Sequence, residues 1–214
     1  MTAQYSASQP MERNAGMKIT HSGASPYVRK VVACAIARGL VARLESWGLG
    51  TTDPVLATFN PMAKIPTLLT DAGQALFDSP VICEYLDSLG DAAKLFPAAG
   101  PARWAALRHQ AIGDGILDAS QPRRREIGLP QDDGRMAYIA LQRGKVSRAV
   151  DMLEAEAATL DGLATIGEIT IGCALGYLDF RFADEPWRPG HPKLEAWYNV
   201  AVKLAPLANT MPVA

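Results

Sequence analysis

A break bearing proline and glycine, Leu95-Phe96-Pro97-Ala98-Ala99-Gly100-Pro101, limits what this chain can fold into, because strand-like runs stop there and helical patterns continue. Proline and glycine interrupt both regular structures, so the chain divides into a mixed α/β half and an all-α half. Ahead of the break, MKITH from Met17 and VARLESW from Val41 have strand length and content. TLLT from Thr67 and QALF from Gln74 flank Asp71-Ala72-Gly73 and read as an antiparallel hairpin. Val28, Val31, Val32, Ala35 and Ile36 recur at helical spacing. Ser25 stands at the N-cap of that helix, Pro26 at its first position and Gly39 just past its end. A second helix opens in the same manner with Ser79-Pro80, carries Ile82, Tyr85, Leu86 and Leu89, and closes at Gly90. The order β-α-β, hairpin, helix predicts a small mixed sheet with helices packed on it.

Beyond the break, Trp104, Leu107 and Ala111 keep helical spacing, and Ile139, Val146, Val150, Leu153, Ala157 and Leu160 form an amphipathic stripe between Met136 and Leu160. Thr165-Ile166-Gly167-Glu168 fits a capping box that launches an apolar, hence buried, helix through Leu178. A last helix is expected from Pro192 to Leu204. The expected divisions are a disordered leader or tag over 1–16, an α/β domain over 17–96, a linker over 97–101 and an all-helical domain over 102–214. Residues 1–16 are polar and lack the apolar stretch of a secretory signal, which makes Met17 a plausible natural start.

Composition removes several functional classes. A net charge of −1 gives no global attraction to nucleic acid or an anionic membrane. The basic run Arg123-Arg124-Arg125 is followed by Glu126 and lacks aromatic neighbours for base stacking, so it reads as a solvated loop or helix end. No apolar run approaches the ~18 residues of a membrane span. Cys34, Cys83 and Cys173 are far apart and odd in number, which suggests free thiols in a reducing cytoplasm. His21, His109 and His191 have no metal-ligand spacing, so no metal is expected.

Two helices that begin Ser-Pro behind strands each direct unpaired amides and the positive end of a macrodipole outward, where an anion can bind. Taken singly, Ser25 and Ser79 each read as a simple cap. Lys64-Ile65-Pro66 enters the hairpin's first strand, where Pro66 is either a trivial strand start or follows a cis bond that turns the Ile65 backbone outward.

SPYVRK (25–30) resembles the Cys-Pro-Tyr-Cys-Arg-Lys helix opening of glutaredoxins, with serine and valine in place of both cysteines. NPMAKIPTLL (60–69) and DSPVICEYLD (78–87) resemble the glutathione-site segments of glutathione transferases, and TIGEITIGCALGYLDFRF (165–182) resembles the capping-box segment of bacterial members. The resemblance covers nearly everything after Gly16. It implies a thioredoxin-like N-terminal domain followed by a helical-bundle domain, with glutathione as co-substrate, a small hydrophobic electrophile as second substrate, and a homodimer. Under it, Ser25 donates to the glutathione sulfur, Ile65 pairs through its backbone with the cysteinyl part beside a cis Pro66, Asp78 and Ser79 hold the γ-glutamyl end, and Lys64 meets the glycyl carboxylate. Ser22, in the loop ahead of the helix, competes with Ser25 for the sulfur. Met62-Ala63 departs from the family's Leu-Gly, a change that bears on Lys64.

With Ser25 and Val28 in place of cysteines, mixed-disulfide chemistry at that position is excluded, while activation of glutathione's own thiol remains. A free thiol has a pKa near ~8.5, and lowering it by about two units requires roughly 2.7 kcal/mol of preferential thiolate stabilisation. One hydrogen bond to a charged group contributes about 1.5–3 kcal/mol, so a helix terminus plus one hydroxyl suffice. Gln110, Asp114 and Asp118 repeat every four residues. They are either a solvated face or, as the resemblance implies, cleft residues, with Asp114 meeting the γ-glutamyl amine, across a dimer interface in one version. Trp104, Arg108 and Tyr138 are either core or electrophile-pocket residues. Alternatives to conjugation are glutathione-dependent peroxide reduction, a non-catalytic accessory module, and a cysteine-type reductase using Cys34 or Cys83.

Overall fold

A computed structural model describes residues 16–213. The expected leader, Gly16 excepted, lies outside them. The sheet is built from β1 (Met17–Ile19), β2 (Leu44–Ser46), β3 (Leu68–Leu69) and β4 (Ala75–Leu76), in the order β2-β1-β3-β4. β1 and β2 run parallel across α1 (Pro26–Ala37), whereas β3 is antiparallel to both β1 and β4. The expected β-α-β unit and hairpin are therefore present.

α1 ends in a Schellman motif. Leu40 N–H donates to the Ala35 carbonyl at 2.7 Å and Gly39 N–H to that of Ile36 at 3.0 Å, with Gly39 at φ +67°. The chain leaves through a 3-10 turn, Val41–Arg43, so the strand expected from Val41 starts at Leu44. A helix that sequence reading left out, α2 (Pro54–Phe59), follows. Its Asp53 side chain accepts from the Val55 amide at 2.8 Å and a proline opens it, the same grammar as Ser25-Pro26. α3 (Ser79–Ser88) begins one residue earlier than expected, with Asp78 at the N-cap and no side-chain capping bond.

The segment after α3 is pinned by polar contacts. Asp87 accepts from the Leu95 amide at 2.7 Å and pairs with buried Arg38 at 3.2 Å, while Arg38 also donates to the Leu89 and Ala93 carbonyls. The helical domain comprises α4 (Gly100–Ile127), α5 (Asp133–Glu156), α6 (Ile166–Arg181), α7 (Pro192–Ala201) and α8 (Ala205–Ala208). α4 starts inside the run read as a linker, because Pro101 in the first turn is already set for helix. The Thr165–Glu168 capping box forms as expected, and α6 is buried from Ile166 to Leu178.

α1 packs on α3 at one side and on α6 and α8 at the other, so its burial exceeds the single apolar stripe of its sequence. Val28, Val31 and Ala35 are buried, and so are Arg29 and Lys30. Arg29 donates to the Leu207 carbonyl at 3.3 Å, and Lys30 pairs with Asp114 at 2.6 Å. Charged side chains remain inside there because partners from the second domain replace water.

Candidate functional site

A cleft of about 750 Å³ opens between the two domains. Ser25, Lys64, Ile65, Pro66, Asp78 and Ser79 all line its sheet-domain wall, so six of the seven residues singled out for the site converge on one space. They come from three loops, brought together because the end of β1, the start of β3 and the end of β4 lie at the same end of the strands.

At the head of α1, Ser25 is the N-cap and its Oγ accepts from the Val28 amide at 3.3 Å. A hydroxyl has one O–H besides its lone pairs, so this cap leaves the Ser25 hydrogen for an external acceptor. Ser22 also lines the cleft, and its carbonyl accepts from the Ser25 amide at 3.1 Å. The Ile65–Pro66 bond is cis. Asp78 is exposed at the uncapped start of α3, and Ser79 beside it is buried.

Asn60 sets the loop that presents Lys64. Its side-chain amide donates to the Lys64 carbonyl at 3.0 Å and to Thr67 Oγ1 at 2.9 Å, while its Oδ1 accepts from the Met62 amide at 3.0 Å. Ala63 within that loop has φ +48°. This left-handed conformation supplies the reason for the glycine that the family pattern carries at this position. Thr20 and Thr67 exchange bonds at 2.8 and 3.0 Å and lock the hairpin to the end of β1. Sequence reading assigned no role to Asn60, although it opens the NPMAKIP run.

The stripe Gln110, Asp114 and Asp118 is solvated only at its Asp118 end. Gln110 is buried, Asp114 is taken by Lys30, and Asp118 lines the cleft and accepts from the Tyr27 hydroxyl. Burial raises the pKa of Asp114 while Lys30 opposes the rise. The Tyr27 hydroxyl is held protonated, by burial first and by Asp118 second. Asp114 is thus the one named site residue outside the lining of the cleft.

The opposite wall differs from the apolar pocket implied by a hydrophobic electrophile. It carries Gln121, Pro122, Arg124, Arg125, Tyr177 and Arg181. The basic run does lie at a helix end, as expected, but Arg123 turns inward to Glu185 while its two neighbours face the cleft. Trp104 is 68% exposed, Tyr138 is exposed and Arg108 pairs with Glu156 at 2.6 Å, so none of these three joins the pocket. The outer faces of α4 and α5 carry them away from it. Cys34, Cys83 and Cys173 are fully buried and also lie outside the lining. The Cys34 thiol is raised by its hydrogen bond with Cys83 and by burial, and burial pushes Cys173 up to about 11. Among the described residues, no group of three or more His, Cys, Asp or Glu is placed to hold a metal ion.

Residues 24–89 match the family model for the glutathione S-transferase N-terminal domain, and residues 134–199 match that for the C-terminal domain. The chain is 31% identical over 181 residues to the uncharacterized GST-like protein YibF of Escherichia coli strain K12, covering 83% of this chain and 90% of that one. The chain belongs to the glutathione S-transferase family. A family member from Pseudomonas fluorescens Pf-5, solved with bound glutathione, is 39% identical, with a TM-score of 0.81 over 92% of this chain and all (100%) of that one. A structure of a family member from the same strain holds S-(propanoic acid)-glutathione, at the same identity of 39%, with a TM-score of 0.80 and 92% and 100% coverage. A glutathione S-transferase from Methylobacillus flagellatus KT with glutathione bound is 32% identical at a TM-score of 0.84, with 92% and 100% coverage. The α/β domain followed by a helical domain is the glutathione S-transferase fold.

Proposed function

We propose that this glutathione S-transferase family member binds glutathione in the interdomain cleft and holds its sulfur as a thiolate beside Ser25 for attack on an electrophile. The observation that carries the reading is the Ser25 cap, whose Oγ is engaged as an acceptor at the head of α1 and whose O–H is left to donate. The positive end of the helix and that one donor act on the same side of the thiol equilibrium. The uncapped Asp78 carboxylate and Ser79 suit the γ-glutamyl ammonium, the Ile65 backbone suits the cysteinyl part, and Lys64 suits the glycyl carboxylate. Relatives at 39% and 32% identity hold glutathione, and one holds a glutathione substituted on sulfur, which supports conjugation as the reaction. In the step itself the thiol proton has passed to solvent and the thiolate sulfur forms a bond to carbon. In a substitution the bond to the displaced group breaks and that group leaves as an anion, and in an addition a proton from solvent completes the product. Three buried cysteines outside the cleft weigh against a cysteine-type reductase.

Ser25→Ala tests the assignment. It should raise the pKa of bound glutathione by about one unit or more and slow conjugation at neutral pH by roughly tenfold or more, with glutathione affinity by calorimetry almost unchanged. An unaltered thiolate titration and rate would remove Ser25 from the role. Absence of any binding heat in the unmodified protein would favour a non-catalytic accessory module. The homodimer and cytoplasmic location implied by the family belong to the same reading, and sedimentation tests the first.

A further inference from the structure

We propose that the electrophile taken by this site carries a carboxylate, received by Arg124, Arg125 and Arg181 on the helical-domain wall of the cleft; this rests on the glutathione reading of the opposite wall. The cleft holds four cationic side chains, Lys64, Arg124, Arg125 and Arg181, against two carboxylates, Asp78 and Asp118. Asp118 is already engaged by the Tyr27 hydroxyl. Glutathione brings two carboxylates and one ammonium, and the sheet-domain wall answers its two ends with Lys64 and Asp78 together with Ser79. The three guanidinium groups face that wall from α4 and α6, across the space into which the sulfur would react.

Elsewhere arginines close on acidic partners, as in Arg38 with Asp87, Arg103 with Glu84 and Arg188 with Asp179. Among the described residues Arg124, Arg125 and Arg181 enter no such ion pair. Arg181 is further set apart: its Nε is buried without a hydrogen-bond partner, and its guanidinium lies over the Phe180 ring at 3.8 Å. Stacking holds the guanidinium plane in place with no carboxylate paired to it, and a guanidinium so placed can grip a planar anion through two parallel N–H groups of its terminal nitrogens. Arg124 and Arg181 line the same wall of the cleft as Tyr177. A purely hydrophobic acceptor would give these three guanidinium groups no hydrogen-bond partner and would have to displace their water.

The test uses the full chain with glutathione and two aromatic probes, a chlorodinitrobenzoate with chlorine para to the carboxylate, and its uncharged carboxamide. In both, the thiolate attacks the ring carbon bearing chlorine, the C–S bond forms, the C–Cl bond breaks and chloride leaves, with the thiol proton passing to buffer. Each rate is divided by that of the uncatalysed reaction, which removes the difference in intrinsic electrophilicity. The benzoate should show a kcat/KM enhancement about tenfold or more above the carboxamide. Arg124→Gln with Arg125→Gln, and separately Arg181→Gln, should shrink that ratio toward unity while the glutathione titration keeps its affinity. Calorimetry of the two preformed glutathione conjugates should show the same preference and reads the site even where turnover is slow. Equal enhancement and equal conjugate affinity for the two probes would overturn the proposal, as would a preference that survives in the variants. Loss of glutathione affinity in the variants would reassign the arginines to the tripeptide and overturn it as well. No glutathione binding by the unmodified protein would instead sink the reading beneath it, and this proposal with it.

Discussion

Ala63 holds a backbone conformation, φ +48°, that a side chain makes costly, and it does so because Asn60 ties the loop on both sides of it. The left-handed region costs an L-residue about 1–2 kcal/mol, of which glycine's greater freedom in the unfolded chain takes back part. Ala63→Gly should therefore raise unfolding stability by about 0.5–1 kcal/mol, read by urea titration, and a loss of stability would show that the loop is not held in this conformation. Cys173 gives a pH dependence at the same scale. Its thiol is completely buried, and desolvation moves its pKa from 9.0 to about 11. An acid raised on folding contributes stability that is whole below its unfolded pKa and drains as pH rises through the folded value. Stability should thus fall between about pH 9 and pH 11, and Cys173→Ala should flatten that fall. Tyr27, Tyr177 and Tyr198 are also raised by burial and act in the same direction at higher pH. An unchanged slope in the variant would mean that water reaches the thiol.

Among the helices, the contact of α4 with α6 depends on small residues. A Cβ on Gly113 would stand 2.8 Å from Thr170 Cγ2 and 2.9 Å from the Thr170 carbonyl carbon, and one on Gly167 would stand 2.8 Å from the Ala106 carbonyl oxygen. Backbone cannot move aside as a side-chain tip can. Gly113→Ala should destabilise by about 1–3 kcal/mol through overpacking, although alanine is the better helix former. Gly115, two residues along α4, meets nothing within 4 Å, and Gly115→Ala should stabilise by up to about 1 kcal/mol. Thermal melts of the pair separate packing from propensity, and a gain in both would show that α4 stands further from α6. At this scale the helix starts were legible, since Ser25-Pro26, Ser79-Pro80 and Thr165–Glu168 each mark one within a residue. Asp53-Pro54 carries the same signal for α2, but the six residues that follow are too few for a helical period to show in the sequence.

At the scale of the whole molecule, α1 and α4 join the two domains by two polar rungs, Lys30 with Asp114 and Tyr27 with Asp118. The Lys30 side chain is fully buried and the Asp114 side chain is 17% exposed. Asp114→Ala would leave a buried ammonium with no counter-charge and should cost about 3–5 kcal/mol. Replacing both partners, Lys30→Met with Asp114→Leu, should recover most of that loss, because neither desolvation penalty then remains. Urea unfolding of the single and double variants checks this, and a single variant near the parent's stability would show that water solvates Lys30.

Local sequence determined where strands give way to helices and which residues start the helices, because caps, turns and hydrophobic period act over a few neighbours. It could not say that Asp114 serves Lys30 and lies off the cleft, or that Arg124 and Arg125 face the cleft while Arg123 turns to Glu185. Those outcomes depend on which helix meets which, and a charge reads as solvated until a distant segment is seen to replace its water. The close pairing of α4 with α6, and the side-chain bonds that tie α1 to α4, made that decision, and with it the character of the helical-domain wall of the cleft.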